Sequence, residues 1–217
     1  YRLWDPMIEQ LARDFKDEIQ FWEIGNEPDC GKKYWAGTNA DFAEFVEHTA
    51  AALKRGNPEA KILSAGFSGS GIEEYFKLGW HKHIDIYSIH YTDMRQNILR
   101  GARNLLKKHK VKLPMWNTEE RSEVPLYNIA AGIEKTFKFI HANIGYGGSR
   151  PLVELDLTPL PSAIWYAAGV HCLGNTPRFT GWSDKIPDCD VYFYKRGDEK
   201  IAAFRSRSAG QAKLFGT

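Results

Sequence analysis

The chain has 217 residues, 43% hydrophobic and 26% charged, which excludes a disordered segment and suits one large domain, with or without a small appendage. A formal net charge of +2 at pH 7 is too close to balance for an electrostatic nucleic-acid binder. No apolar run is long enough to span a membrane as a helix, so a membrane partner is not expected either.

In chain order, residues 4–18 read as a helix, with Asp5 as N-cap and Pro6 at the first helical position. The run "QFWEIGNEPDCG" (residues 20–31) follows as a strand that ends in charge. Residues 38–58 form an amphipathic helix stopped by Gly56 and Pro58, and residues 60–66 a short strand. A helix over 71–82, a strand over 84–92, a basic helix over 94–110 and a strand over 113–120 come next. A helix over 125–135, a strand over 136–145 and a helix over 161–174 complete the alternation. The tail reads as two strands around Arg196-Gly197-Asp198, a hairpin signal. Five strand–helix units in strict alternation imply an α/β fold with a parallel sheet covered by helices. The boundary falls near residue 175, with residues 1–175 as the α/β part and 176–217 as the start of a small β domain.

In parallel α/β folds, ligands sit at the carboxyl ends of the strands. Here those ends carry Asn26, Glu27 and Asp29; His90 and Tyr91; Thr118, Glu119 and Glu120; and His141 and Asn143. One such end reads as a solvated loop. Four on one face imply a site. Glu27 and Glu119 stand two intervening strands apart, so a closed barrel sets them across its mouth, where paired carboxylates suit glycoside hydrolysis. Asn26 is placed to meet a sugar hydroxyl, and Asp29, beyond Pro28, to order the loop. Simple alternation puts Glu119 on the face of Met115 and Asn117, and its competitor Glu120 on the face of Trp116 and Thr118.

"WEIGNEP" resembles the fourth-strand signature of the clan A retaining glycoside hydrolases, and "PMWNTEE" their seventh-strand signature. "DIYSIHYT" is similar to the sixth strand, and the β tail to the sandwich that follows the barrel in families such as family 39. The resemblance runs from about Trp4 to Gly174. It implies a (β/α)8 TIM-barrel portion, strands four to eight, with a small C-terminal β-sandwich appendage. It also implies Glu27 as acid/base, Glu119 as nucleophile, and a His and a Tyr near the nucleophile. The family reads His-x-Tyr there and this chain His90-Tyr91-Thr92, which leaves two candidates for the orienting hydroxyl. The function implied is cleavage of O-glycosidic bonds with retention, on an oligosaccharide or glycoside. The alternative is an inactive or truncated carbohydrate-binding relative. The first three barrel strands are absent, so the chain reads as a piece of a longer protein or as one completed by a second chain. Residues such as Phe21, Ile86 and Phe137 are then expected to face an uncovered interior.

Trp35 and Trp182, both read as loop residues, are candidate sugar platforms, with His90, Tyr91, His141, Asn143 and Asn26 completing the binding set. "GFSGSG" (residues 66–71) is a weak phosphate-cradle signal. A metal-dependent hydrolase using the His and Glu groups is a third reading, but His81, His83 and His90 read as lacking an adjacent carboxylate set, so no metal and no cofactor are expected. Cys30, Cys172 and Cys189 do not have zinc-site spacing and leave the redox compartment open, compatible with a secreted or periplasmic protein. A Cys172–Cys189 disulfide is one expectation; a pairing through Cys30, or three free thiols, are the others.

Overall fold

The computed structural model describes residues 1–92, 96–120, 126–138 and 158–207. Its elements are α1 (Trp4–Asp14), β1 (Phe21–Glu23), α2 (Asn39–Gly56), β2 (Lys61–Leu63), α3 (Glu73–Leu78), β3 (Tyr87–His90) and α4 (Gln96–Lys108). They continue with β4 (Met115–Glu120), α5 (Leu126–Ala130), β5 (Lys135–Lys138), α6 (Pro161–Leu173), β6 (Arg178–Ile186), β7 (Cys189–Arg196) and β8 (Glu199–Ser206). The fold is mixed α/β with a three-stranded antiparallel sheet. Among the described residues, no helix is long and apolar enough to cross a membrane.

The described residues divide into two compact units. The first takes those of Tyr1–Glu119 with Glu134–Phe137; the second takes Glu120–Ile133 and those from Lys138 onward. In the first, β1 pairs with β2 and β3 with β4, both parallel, and β5 adjoins β4. Parallel bridges Asn26–Gly66, Leu63–Ile86 and Phe67–Ile89 carry the order from β1 and β2 across to β3. The ends of β1, β3 and β4 named from the sequence therefore follow one another along one sheet edge.

Local chemistry explains the helices that cover these strands. Thr38 caps α2 through a reciprocal box: its hydroxyl accepts from Asp41 N–H, and the Asp41 carboxylate accepts from Thr38 N–H. Phe42, Val46, Ala50 and Leu53, at helical spacing, form the buried stripe of α2. Gly56 does more than stop the helix. A Cβ there would lie 2.2 Å from the Glu9 carbonyl oxygen, so glycine lets α1 and α2 approach closely. Phe42, Phe67, Tyr75, Trp80 and Tyr87 form a buried aromatic cluster behind β2 and β3, with centroids 5.2 Å apart for Phe42–Tyr75 and 5.7 Å for Phe67–Tyr87. Such ring pairs add roughly 0.5–1.5 kcal/mol each beyond their area burial.

Several expectations are corrected. Helix α1 is capped two residues earlier than expected, so Leu3 is the N-cap and Asp5 lies inside the first turn, where its carboxylate meets His48 Nδ1 at 2.9 Å. Ile86 is buried at 5% exposure, packed with Leu63 and Trp116, whereas Phe21 and Phe137 are exposed at 41% and 49%. The tail contains three strands, not two: β6–β7–β8 is an antiparallel sheet. Leu126 of α5 and Leu173 of α6 pack with Tyr192, Tyr194 and Ala203 of that sheet, and the Tyr194 hydroxyl donates to the Leu126 carbonyl at 2.7 Å. All three cysteines are free thiols, so the Cys172–Cys189 bridge is absent.

Candidate active site

The carboxyl ends of β1, β3 and β4 bring together Glu27, His90 and Glu119. One ligand-type atom from each, two carboxylate oxygens and an imidazole nitrogen, all lie within 4.8 Å of one another. The His90 ring links the two acids: its Nδ1 is 2.9 Å from Glu27 Oε1 and 3.6 Å from Glu119 Oε2. Tyr91 donates its hydroxyl to Glu119 Oε1. Glu27 and His90 are almost fully buried, and Glu119 is partly open. Two carboxylates and an imidazole in such a space are costly unless each has a partner, and here each does.

The backbone is shaped for this meeting. Glu27 and Tyr91 have φ values of 44° and 54°, two of four non-glycine residues in the left-handed region among those described. Such conformations persist only where surrounding contacts over-determine them. Around Glu27 those contacts are its N–H to the Gly66 carbonyl at 2.8 Å and the Cys30 N–H to its own carbonyl at 2.9 Å. Asp29 adds a clamp, accepting from Ser68 N–H at 3.2 Å and Gly69 N–H at 2.7 Å. The Asp29 carboxylate thus orders the loop after β1. It also occupies N–H groups that a phosphate in "GFSGSG" would have needed.

Simple alternation fails at the end of β4. Ile89 pairs with Asn117 but His90 pairs with Glu119, leaving Thr118 as an extra residue in a bulge. Thr118 reaches Glu23 of β1 at 2.8 Å, while Glu119 reaches Tyr91 and His90. Asn117, assigned to the face of Glu119, is buried and donates to Thr92 Oγ1 at 2.8 Å. Glu120 is fully buried and accepts from Asn128 Nδ2 at 3.2 Å, so it serves the packing of α5.

The other sequence candidates fall as follows. Asn26 is exposed beside Glu27, in a bridge to Gly66. Trp35 is half-buried in the loop before α2, edge-on to Phe42 and tilted against Phe45, with its indole N–H given to the Thr38 carbonyl at 3.0 Å. Trp182 is not in a loop; it lies on β6 at 60% exposure. His141 and Asn143 lie outside the described residues. Glu27, His90 and Glu119 are also the set among the described residues whose donors could hold a metal ion. His81 stacks on Phe76, apart from that set.

Two contributors were given no part in this site by the sequence reading. Gly66 is one: a Cβ there would sit 1.9 Å from His90 Nε2, so glycine makes room for the ring. Glu23, a charged residue within an otherwise apolar strand, is the other.

Comparison with known proteins bears on the fold. No protein-family model matches the chain. A β-xylosidase of Caldicellulosiruptor saccharolyticus is 32% identical over 69 residues, which is 29% of this chain and 14% of that protein. The structure of a family 39 β-xylosidase from Caulobacter crescentus superposes with a TM-score of 0.64 at 17% identity, covering 91% of this chain and 52% of that one. This is the fold of the family 39 glycosidases, present in part. The family 39 enzyme of Xanthomonas axonopodis pv. citri gives a TM-score of 0.64 at 14% identity, covering 89% and 50% of the two chains. A glucosidase from Croceicoccus marinus gives 0.61 at 15%, covering 94% and 59%. The chain thus spans little more than half of these structures.

Proposed function

We propose that this chain carries the two catalytic carboxylates of a retaining glycoside hydrolase, on strands corresponding to the fourth to eighth of a TIM barrel. The observation that carries the reading is the short separation of Glu27 and Glu119, with His90 between them. Retaining enzymes hold their two carboxyl groups about 5–5.5 Å apart, whereas inverting ones need roughly 6.5–9.5 Å to admit a water. An oxygen–oxygen approach within 4.8 Å favours retention.

In this mechanism Glu119 attacks the anomeric carbon while Glu27 protonates the departing oxygen. Water then enters, Glu27 takes its proton, and Glu119 leaves with configuration retained. The Tyr91 hydroxyl holds one oxygen of Glu119, fixing its line of attack. The His90 hydrogen bond sets the orientation of the Glu27 carboxyl. Asn26, exposed beside the acid, is available to a sugar hydroxyl. The outward Trp182 remains a candidate platform, as do His141 and Asn143 for substrate contacts. No step requires a cofactor or a metal, so activity should survive a chelator.

The relatives named β-xylosidase and glucosidase make aryl β-xylosides and β-glucosides the first substrates to try. Glu27→Ala should slow glycosides with poor leaving groups by about 10²–10⁴-fold and activated ones far less, because only the former need protonation. Azide should rescue the activated reaction and yield a glycosyl azide of retained configuration. Equal loss on both substrate classes, without rescue, would remove Glu27 from the acid/base role. Because the chain spans about half of its structural relatives, an inactive carbohydrate-binding module is the second reading. Sugar binding without turnover would select it.

A further inference from the structure

Glu23 lies four residues before Glu27 on the same strand, and its carboxyl enters a triangle of oxygens. Glu23 Oε1 is 2.5 Å from Ser88 Oγ and 2.8 Å from Thr118 Oγ1, and the two hydroxyl oxygens are 2.6 Å from each other. Every side of the triangle lies in the range where oxygens share a proton. Three such bonds need three protons, and the two hydroxyls bring one each. Among the described residues, neighbouring donors bring no third. Ser88 N–H is committed to Ser64 Oγ, and the Ser64 hydroxyl turns to the carbonyls of Ala65 and Ser88. If Glu23 were ionised, both hydroxyls would point at it. Their own oxygens would then face each other at 2.6 Å with no proton between them.

We propose that Glu23 is a neutral carboxylic acid in the folded protein at neutral pH, its proton closing a ring of three hydrogen bonds with Ser88 and Thr118. In the ring each oxygen donates once and accepts once. The ring ties β1, β3 and β4 together below the mouth of the site, and it anchors Thr118, the extra residue of the bulge that aims Glu119. A neutral Glu23 does this without adding a further charge beside Glu27 and Glu119. It is a positioning residue, acting on Glu119 through Thr118.

The surroundings agree. Although the residue as a whole is exposed, the loss of water around its carboxyl pushes the pKa of Glu23 above the ordinary glutamate value, and the charge of Glu119 pushes the same way. The hydrogen bonds from Ser88 and Thr118, and the nearby His90, pull against that shift without reversing it. Among the described residues Glu23 Oε2 has no hydrogen-bond partner, so no other side chain holds the group as a carboxylate.

The charge state is independent of the glycosidase reading and can be measured without substrate. Native capillary electrophoresis at pH 7 of the wild-type chain, Glu23→Gln and the exposed control Glu18→Gln counts the charge directly. Glu18→Gln should move by one unit of charge, and Glu23→Gln by less than half a unit. A shift of Glu23→Gln equal to that of the control would overturn the proposal. If Glu23→Gln does not fold, wild-type protein labelled with ¹³C at glutamate carboxyls decides the matter. Apart from any resonance that disappears in Glu27→Gln, one glutamate resonance should hold the protonated position at pH 7; every remaining glutamate at the ionised position would overturn the proposal.

Discussion

Gly66→Ala tests whether the site is held as described, because the substitution adds one methyl group at its tightest point. The new Cβ would lie 1.9 Å from His90 Nε2 and 2.6 and 2.7 Å from Cε1 and Cδ2. His90 is 2% exposed, so the ring has no open side to enter. To reach ordinary contact it must retreat by about 1.5 Å, given carbon contact distances near 3.5 Å. Its Nδ1 is only 2.9 Å from Glu27, and a movement of that size breaks the bond or drags the carboxylate along. Overpacking costs about 1–3 kcal/mol, and loss of a hydrogen bond to a charged group about 1.5–3 kcal/mol. The combined loss of about 2.5–6 kcal/mol corresponds to a fall in Tm of roughly 5–24 °C for a chain of this size. Differential scanning fluorimetry of Gly66→Ala against Gly181→Ala, whose Cβ meets nothing within 4 Å, supplies the comparison. If Gly66→Ala melts within about 2 °C of the control, a shift worth under 1 kcal/mol, the close packing of Gly66 on His90 is wrong.

Three further outcomes follow from the same contacts. Asp29→Ala releases the N–H groups of Ser68 and Gly69, and should cost about 1–3 kcal/mol in urea unfolding; an unchanged midpoint would deny the clamp. Tyr91→Phe removes the hydroxyl that holds Glu119, and should lower kcat by about 10–100-fold with the melting temperature little changed; unchanged kcat would take Tyr91 out of the site. The raised pKa of Glu23 makes the folded state bind its proton more tightly than the unfolded chain does. That stabilisation is complete below the ordinary value of 4.5 and is lost as pH rises through the folded-state value. Glu23→Gln should therefore gain in melting temperature relative to wild type as pH is raised from 4.5, and a difference that stays flat with pH would contradict the raised value.

The alternation of strands and helices was legible because α2 and α4 carry apolar stripes at helical spacing and the strands end in Gly, Pro or charge. Glu27 and His90 were legible for a related reason: acid and imidazole at the ends of apolar strands have no use in packing. Other features were not written in any local pattern. Strand β6 hides because its inward positions include Gly181 and Ser183, whereas Trp182 points outward, so the usual apolar period is missing. The bulge at Thr118 depends on how β4 meets β3, and a period-two reading of one strand cannot contain it. Gly66 reads as loop glycine until the His90 ring is seen against it, a contact across 24 residues of sequence. Glu23 stood out as a charge in an apolar strand, but its partners Ser88 and Thr118 lie on two other strands.

The central claim is that Glu119 becomes covalently bonded to the sugar. A 2-deoxy-2-fluoro-β-xyloside or β-glucoside with a dinitrophenolate leaving group forms the glycosyl-enzyme but hydrolyses it slowly, so the adduct accumulates. Peptic digestion and tandem mass spectrometry then locate it. The account predicts one sugar per chain, on the peptide containing Met115–Glu120, with fragmentation placing it on Glu119 and not on Glu120. An adduct on Glu27 or Glu120, or turnover to a product of inverted configuration with no adduct, would contradict it.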